Sequence, residues 1–361
     1  MKNIIEYIKD KSYYLLGGIV IVIILLIIIN ACSNSSGGYD KIEQKMVNAA
    51  KSYYASHKKN LPKEENGTVK VTISTLIESE LLKEVKDPKN KEQTCEGFVQ
   101  VKKVGDDYAY IPFLTCKGNY EPEYLVDKIK NSKLDEYGNG VYEMGGEYVY
   151  RGDDVNNYIT FNNQTWRIIK IDSDGDIELV YSPEKNNERF AWDTDYNSSV
   201  EKYYGVTTDY LHSDIRKTLV EFYENNFSDE SKVYIVPKSI CVGKKTLASD
   251  ANAIEECTVT KSDEYVGLLR VSDYPRASLD SGCTRYDAPD CSNRNYFVGS
   301  GIDTWLLTSV SDNSYQVYLL DNGIDYNRAY KLNKINPVIY ITKDAIVNGG
   351  DGSASNEYVL K

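Results

Sequence analysis

The chain has 361 residues and a formal charge of −12, with 27% charged and 41% hydrophobic residues. Basic and acidic residues are interspersed without a basic stripe, so a phosphate backbone is repelled overall and nucleic-acid partners are excluded as a class. The two histidines, His57 and His212, stand far apart and no cysteine pair forms a CxxC, so no pattern supports a zinc site or any other cofactor.

From Tyr13 to Ala31 no residue is charged. A helix of that length spans roughly 28 Å, enough to cross a bilayer core. Lys2, Lys9 and Lys11 precede the run and the next basic residue is Lys41, which keeps the short N-terminus in the cytoplasm and exports the rest. Ile29-Asn30-Ala31-Cys32 resembles a bacterial lipobox, with Asn30 a departure from the pattern. Two readings stand: an uncleaved anchor, which the long apolar stretch favours, or cleavage before Cys32 and lipidation there. Both leave the same part of the chain outside the cell. Residues 1–32 are thus a cytoplasmic stub and membrane anchor, and 33–38 a flexible polar spacer.

The remaining residues suit two domains. Six cysteines follow Cys32, namely Cys95, Cys116, Cys241, Cys257, Cys283 and Cys291. An even number in an exported chain points to disulfides, with about fifteen connectivities open to six cysteines.

Residues 39–120 read as a small α+β domain. Ile42, Met46, Ala49 and Tyr53 share one face of an amphipathic helix, and TISTLIESELL gives a second, short helix with Thr72 as N-cap. In CEGFVQVKKVGDDYAYIPFLTC, two β-rich runs flank Gly105-Asp106. A two-residue turn there pairs positions whose numbers sum to 211, as those of Cys95 and Cys116 do, so the two cysteines face each other within disulfide range. The order of long helix, short helix and disulfide-closed hairpin resembles the globular part of type IV pilin-like and pseudopilin-like proteins. No prepilin cleavage site precedes the apolar run, so the resemblance implies a stalk rather than a pilus subunit.

Residues 121–147 are charged and weakly periodic and read as a linker. Residues 148–361 read as a larger α+β domain, rich in antiparallel strands with one main helix. YITFNNQTWRIIKIDSDGDIELVYS predicts a three-strand meander with turns at Asn162-Asn163 and Asp174-Gly175. Leu211, Ile215, Leu219 and Phe222 predict a helix, and further strands are expected at 233–236, 266–269, 315–320 and 337–342.

Here NNYITFNNQTWRIIKI, LVEFYENNF, LLRVSDYPRAS, WLLTS and INPVIYI resemble, in order, a domain of unknown function common in surface proteins of gut Gram-positive bacteria. Its layout is similar to the C-type-lectin-like fold shared with formylglycine-generating and sulfatase-modifying proteins. Many relatives carry arginines where this chain has Leu307 and Asn336, so a polar site built on them is altered or absent here.

Asp172, Asp174 and Asp176 resemble half a calcium loop, but Gly175 comes too early for the EF-hand pattern and a solvated turn is expected instead. No GxSxG or P-loop occurs, and His212 beside Ser213 fits a helix start. Trp192, Trp305, Tyr274 and Tyr296 are the candidate ligand-binding aromatics; burial is the usual fate of an indole, which places Trp166 and Trp305 in the core. The stretches Cys241 to Cys257 and Cys283 to Cys291 read as disulfide-braced loops of the kind that carry binding. The expectation is a membrane-anchored extracellular protein with a non-catalytic binding or adhesion role toward a glycan or a host or envelope protein. An exported enzyme acting on glycans or peptidoglycan, or a structural envelope protein, are the alternatives.

Overall fold

A computed structural model describes residues 38–183, 188–194, 209–246, 252–280, 295–298, 300, 302–311, 315–321 and 323–361. The expected membrane segment, Cys32, most of the spacer, and the loop from Cys283 to Cys291 lie outside the described residues. Among the described residues no helix is long and apolar enough to cross a membrane. The chain divides into two compact units, Met1–Pro122 and Glu123–Lys361, and both mix helices with antiparallel sheet.

In the first unit, helix α1 (Tyr39–Ser56) packs on a three-stranded antiparallel sheet made of β1 (Thr68–Thr72), β2 (Glu96–Val104) and β3 (Asp107–Thr115). The short α2 (Ile73–Glu78) follows β1, and Thr72 Oγ1 accepts the Thr75 N–H at 3.1 Å as its N-cap. The buried face of α1 runs along Tyr39, Met46, Ala49, Ala50 and Tyr54, with Ile42 and Tyr53 packed at its margins. It is rotated from the expected stripe because Tyr39 and Ala50 join the core, at spacings of seven and four residues that also fit a helical face.

Hairpin β2–β3 has the register that the turn requires: Val104 pairs with Asp107 and Glu96 with Thr115. Gly105, at φ 56°, supplies the positive backbone angle that lets a two-residue loop follow the twist of the strands. At the open end Cys95 and Cys116 are joined, with Cα atoms 4.4 Å apart.

The second unit begins earlier than the sequence suggests. Strand β4 (Glu123–Tyr124) pairs with Ile346 and Val347, and α3 (Leu125–Lys130) buries Leu125, Val126 and Ile129. Strands β5 (Gly140–Met144) and β6 (Glu147–Arg151) form a hairpin. These residues, read as a linker, fold because one helical turn and one short hairpin suffice once other strands cover them; neither is long enough to show a period.

The meander is β7 (Tyr158–Phe161), β8 (Gln164–Ile171) and β9 (Ile177–Tyr181). Asn162 and Asn163 take φ of 53° and 58°, the two left-handed angles of a type I′ turn. Strand β10 (Phe190–Ala191) precedes α4 (Asp214–Asn226), whose N-cap Ser213 accepts the Arg216 N–H. Then follow β11 (Lys238–Cys241), β12 (Lys244–Lys245), β13 (Thr260–Glu264) and the single turn α5 (Asp273–Arg276). The last strands are β14 (Asp303–Val310), β15 (Gln316–Asp321), β16 (Ile324–Arg328), β17 (Leu332–Asn333), β18 (Val338–Ile341), β19 (Ile346–Gly349) and β20 (Tyr358–Leu360).

One sheet runs β18-β9-β8-β7-β20-β19-β4, with β6 also on β8, and a second runs β12-β14-β15-β16. The expected strands at 233–236 and 266–269 are not strands: each makes one isolated bridge, Ile235 to Ile341 and Gly267 to Val338. Both segments are apolar because they are buried, not because they pair along their length.

Candidate functional site

Strand β8 carries two basic residues into the interior. In a regular strand Arg167 and Lys170 would point to opposite faces. A bulge between Ile168 and Lys170 interrupts the register with β9, and both side chains are buried.

Around Lys170 the charges balance. Its Nζ lies 2.7 Å from Glu147 Oε1 and 3.4 Å from Glu178 Oε2. Arg276 Nη2 lies 2.5 Å from the other Glu147 oxygen. Arg270 holds Asp273 through Nη2 at 2.9 Å and through its own backbone N–H at 2.8 Å. Three cations thus face three carboxylates, mostly out of water, the arrangement that repays the cost of desolvation. Burial raises the Glu178 carboxyl above the usual range even though Lys170 and Arg270 oppose it. Burial also works against ionised Asp273, but Arg270 outweighs it and holds that carboxyl down. Tyr340 is raised by burial and by neighbouring Glu178.

Glu178, Arg270 and Tyr340 line a cavity of about 40 Å³ together with Ser239, Cys241 and Glu264. Such a volume holds a few waters and no sugar ring. Beside it Cys241 and Cys257 are joined, with Cα atoms 4.5 Å apart.

The four candidate aromatics are all buried. Trp192 Nε1 donates to Leu306 O at 3.1 Å and Trp305 Nε1 to Phe190 O at 2.9 Å, so both indoles have their polar atom paired inside the core. Tyr274 and Tyr296 each pack against Phe297. None of these rings has an exposed face on which a sugar could stack. Trp166, expected in the core, is there.

Arg167 is held differently. Its guanidinium carbon lies 4.4 Å from the Tyr158 ring centre and 4.8 Å from that of Tyr296. Nε donates to Asn157 Oδ1 at 2.8 Å and Nη1 to Tyr296 O at 3.3 Å. Burial lowers its pKa, with Tyr158, Tyr296 and Asp154 opposing that shift.

The acidic turn is filled by the protein itself. Lys238 Nζ lies 2.8 Å from Asp172, 3.0 Å from Asp174 and 2.7 Å from Asp176. Asp172 Oδ1 also accepts the N–H groups of Asp174 and Asp176, both at 2.9 Å. His212 Nδ1 lies 2.6 Å from Asp209, but Ser213 Oγ donates to Tyr210 O and caps α4, so the three side chains form a helix start and not a nucleophile relay.

Sequence reasoning missed Arg167, Lys170, Glu178, Arg270 and Asp273. The available signal was Arg and Lys embedded among isoleucines in RIIKI, a costly placement unless both are partnered. No protein-family model, no curated protein and no solved structure matches this chain.

Proposed function

We propose that this is a membrane-anchored extracellular protein whose second unit is a non-catalytic, lectin-like ligand-binding head and whose first unit is a pilin-like stalk. The observation that carries the reading is one disulfide in each unit, Cys95–Cys116 and Cys241–Cys257, which suits an oxidising, extracellular setting. The apolar run from Tyr13 to Ala31 supports the anchor.

A binding role is supported by how the acidic groups are used. Glu147, Glu178 and Asp273 are committed to internal cations, and the cavity beside them is too small for a glycan. Glycan arrays and pull-downs with the purified chain test this reading. Retention of a ligand without turnover supports it. Hydrolysis or transfer without stable retention would favour the exported enzyme acting on glycans or peptidoglycan.

A further inference from the structure

Among the described residues of the second unit, Arg167 and Lys245 are buried cations with no carboxylate in ion-pair range; the Lys245 ammonium is enclosed and donates to Asn252 O, whereas Arg167 keeps unused donors. Arg167 is 4% exposed, and Asp154 attracts it from beyond ion-pair distance. The fork has five N–H donors. Asn157 takes the one on Nε and Tyr296 O takes one on Nη1. The other Nη1 hydrogen and both on Nη2 have no acceptor among the described residues. Nη2 is also not among the enclosed unpaired atoms, so it keeps part of the exposure of this residue.

The holder is rigid. Asn157 is buried and its Nδ2 donates to Ile168 O at 2.7 Å, which fixes the carbonyl oxygen that grips Nε. The rings of Tyr158 and Tyr296 both lie against the guanidinium. Tyr296 adds a second signal: its hydroxyl is buried and makes no hydrogen bond.

We propose that the unused guanidinium donors of Arg167, held against Tyr158 and Tyr296, are a recognition site for the carboxylate of a ligand. A carboxylate takes two parallel N–H groups from one edge of a guanidinium, and Nη1 and Nη2 keep three unused donors between them. A sulfate or phosphate shares this oxyanion chemistry and is separated by the test. The proposal rests on the reading of the second unit as a ligand-binding head and names the ligand chemistry as a carboxylate.

The full chain in detergent is titrated with acetate, glucuronate and sulfate at constant ionic strength, and its melting midpoint and binding heat are followed. Saturable binding of acetate and glucuronate is expected in the wild type, weakened at least about tenfold in Arg167→Gln, since a charge-assisted hydrogen bond is lost. Asp154→Asn leaves the guanidinium in place and tightens binding by removing a competing negative charge; Tyr158→Leu weakens it. These two variants decide the matter if Arg167→Gln does not fold. Equal binding by wild type and Arg167→Gln, a response to sulfate alone, or only a non-saturating response in every variant overturns the site. Glycan binding that survives Arg167→Gln overturns the site and leaves the ligand-binding reading standing. Carboxylate binding at Arg167 in a chain that retains no glycan or protein overturns that reading and supports the site.

Discussion

Lys170 on β8 and Glu178 on β9 stand directly opposite one another, with Nζ 3.4 Å from Oε2 and both side chains buried. The pair is the centre of a layer whose charges cancel, so its energetics are set by what remains when one member goes. Lys170→Met leaves Glu147 and Glu178 short of a cation and should cost about 3–5 kcal/mol. Lys170→Met with Glu178→Leu should recover part of that loss, because two apolar groups replace a buried pair. Urea denaturation of the three variants measures both effects.

The first unit should respond to pH at both ends through Asp87. Its oxygens accept from Asn119 Nδ2 at 2.7 Å, from Tyr39 Oη at 2.8 Å and from the Lys89 N–H at 2.8 Å. Burial alone would raise Asp87, but these hydrogen bonds outweigh it and leave the carboxyl below its usual value. Its contribution is therefore complete above the unfolded value of about 3.9 and is lost as pH falls through the lower folded one.

Tyr39 moves in the opposite sense, to about 12, through burial and then its bond to Asp87. Its contribution is full below the unfolded value of about 10 and is lost as pH rises toward the folded one. Asp87→Asn should flatten the acid limb and bring the tyrosinate absorbance in at lower pH. A wild type and variant with superimposable acid and alkaline limbs would contradict both assignments.

Replacing Cys95 and Cys116 together with serine opens the β2–β3 hairpin at its free end. The 21-residue separation puts the loss at about 3 kcal/mol, read from the unfolding midpoint of the first unit with and without reductant.

Lys238 should make the acidic turn indifferent to metal. Calcium and a chelator should both leave the wild-type melting point unchanged, since an ammonium already stands among the three carboxylates. Lys238→Met should lower stability by about 2–4 kcal/mol, chiefly through the poorly exposed Asp172 and Asp176.

Strand β16 is an edge among the described residues and protects itself. The N–H of Tyr326 is taken by Asp325 Oδ1 at 2.8 Å and that of Arg328 by Asn327 Oδ1 at 2.9 Å. Backbone pairing to β15 uses the alternate residues, as Ala329 N–H to Tyr315 O shows, so these side chains cap the outward donors. Asp325→Ala with Asn327→Ala should promote self-association, detected by sedimentation.

Local chemistry was legible where it was self-contained. The Gly105-Asp106 and Asn162-Asn163 turns announce themselves because few other residues accept positive φ, and each then sets a register. The α3 segment was not legible, since three apolar residues in one turn carry no period. The charged layer was still less so. Lys170 and Glu178 alternate with apolar neighbours as surface residues do, and their burial depends on Glu147, Asp273 and Tyr340, distant in sequence. Lys238 meets Asp174 across 64 positions, a contact no spacing rule anticipates.

Labelling of intact cells with a membrane-impermeant thiol reagent, before and after reduction, bears on the whole scheme through Cys95, Cys116, Cys241 and Cys257. The expected result is no labelling until an external reductant is added, then modification of all four, with external protease releasing fragments beyond residue 38. Cysteines that are reduced in the native cell and shielded from external reagent and protease would place these units in the cytosol and contradict it.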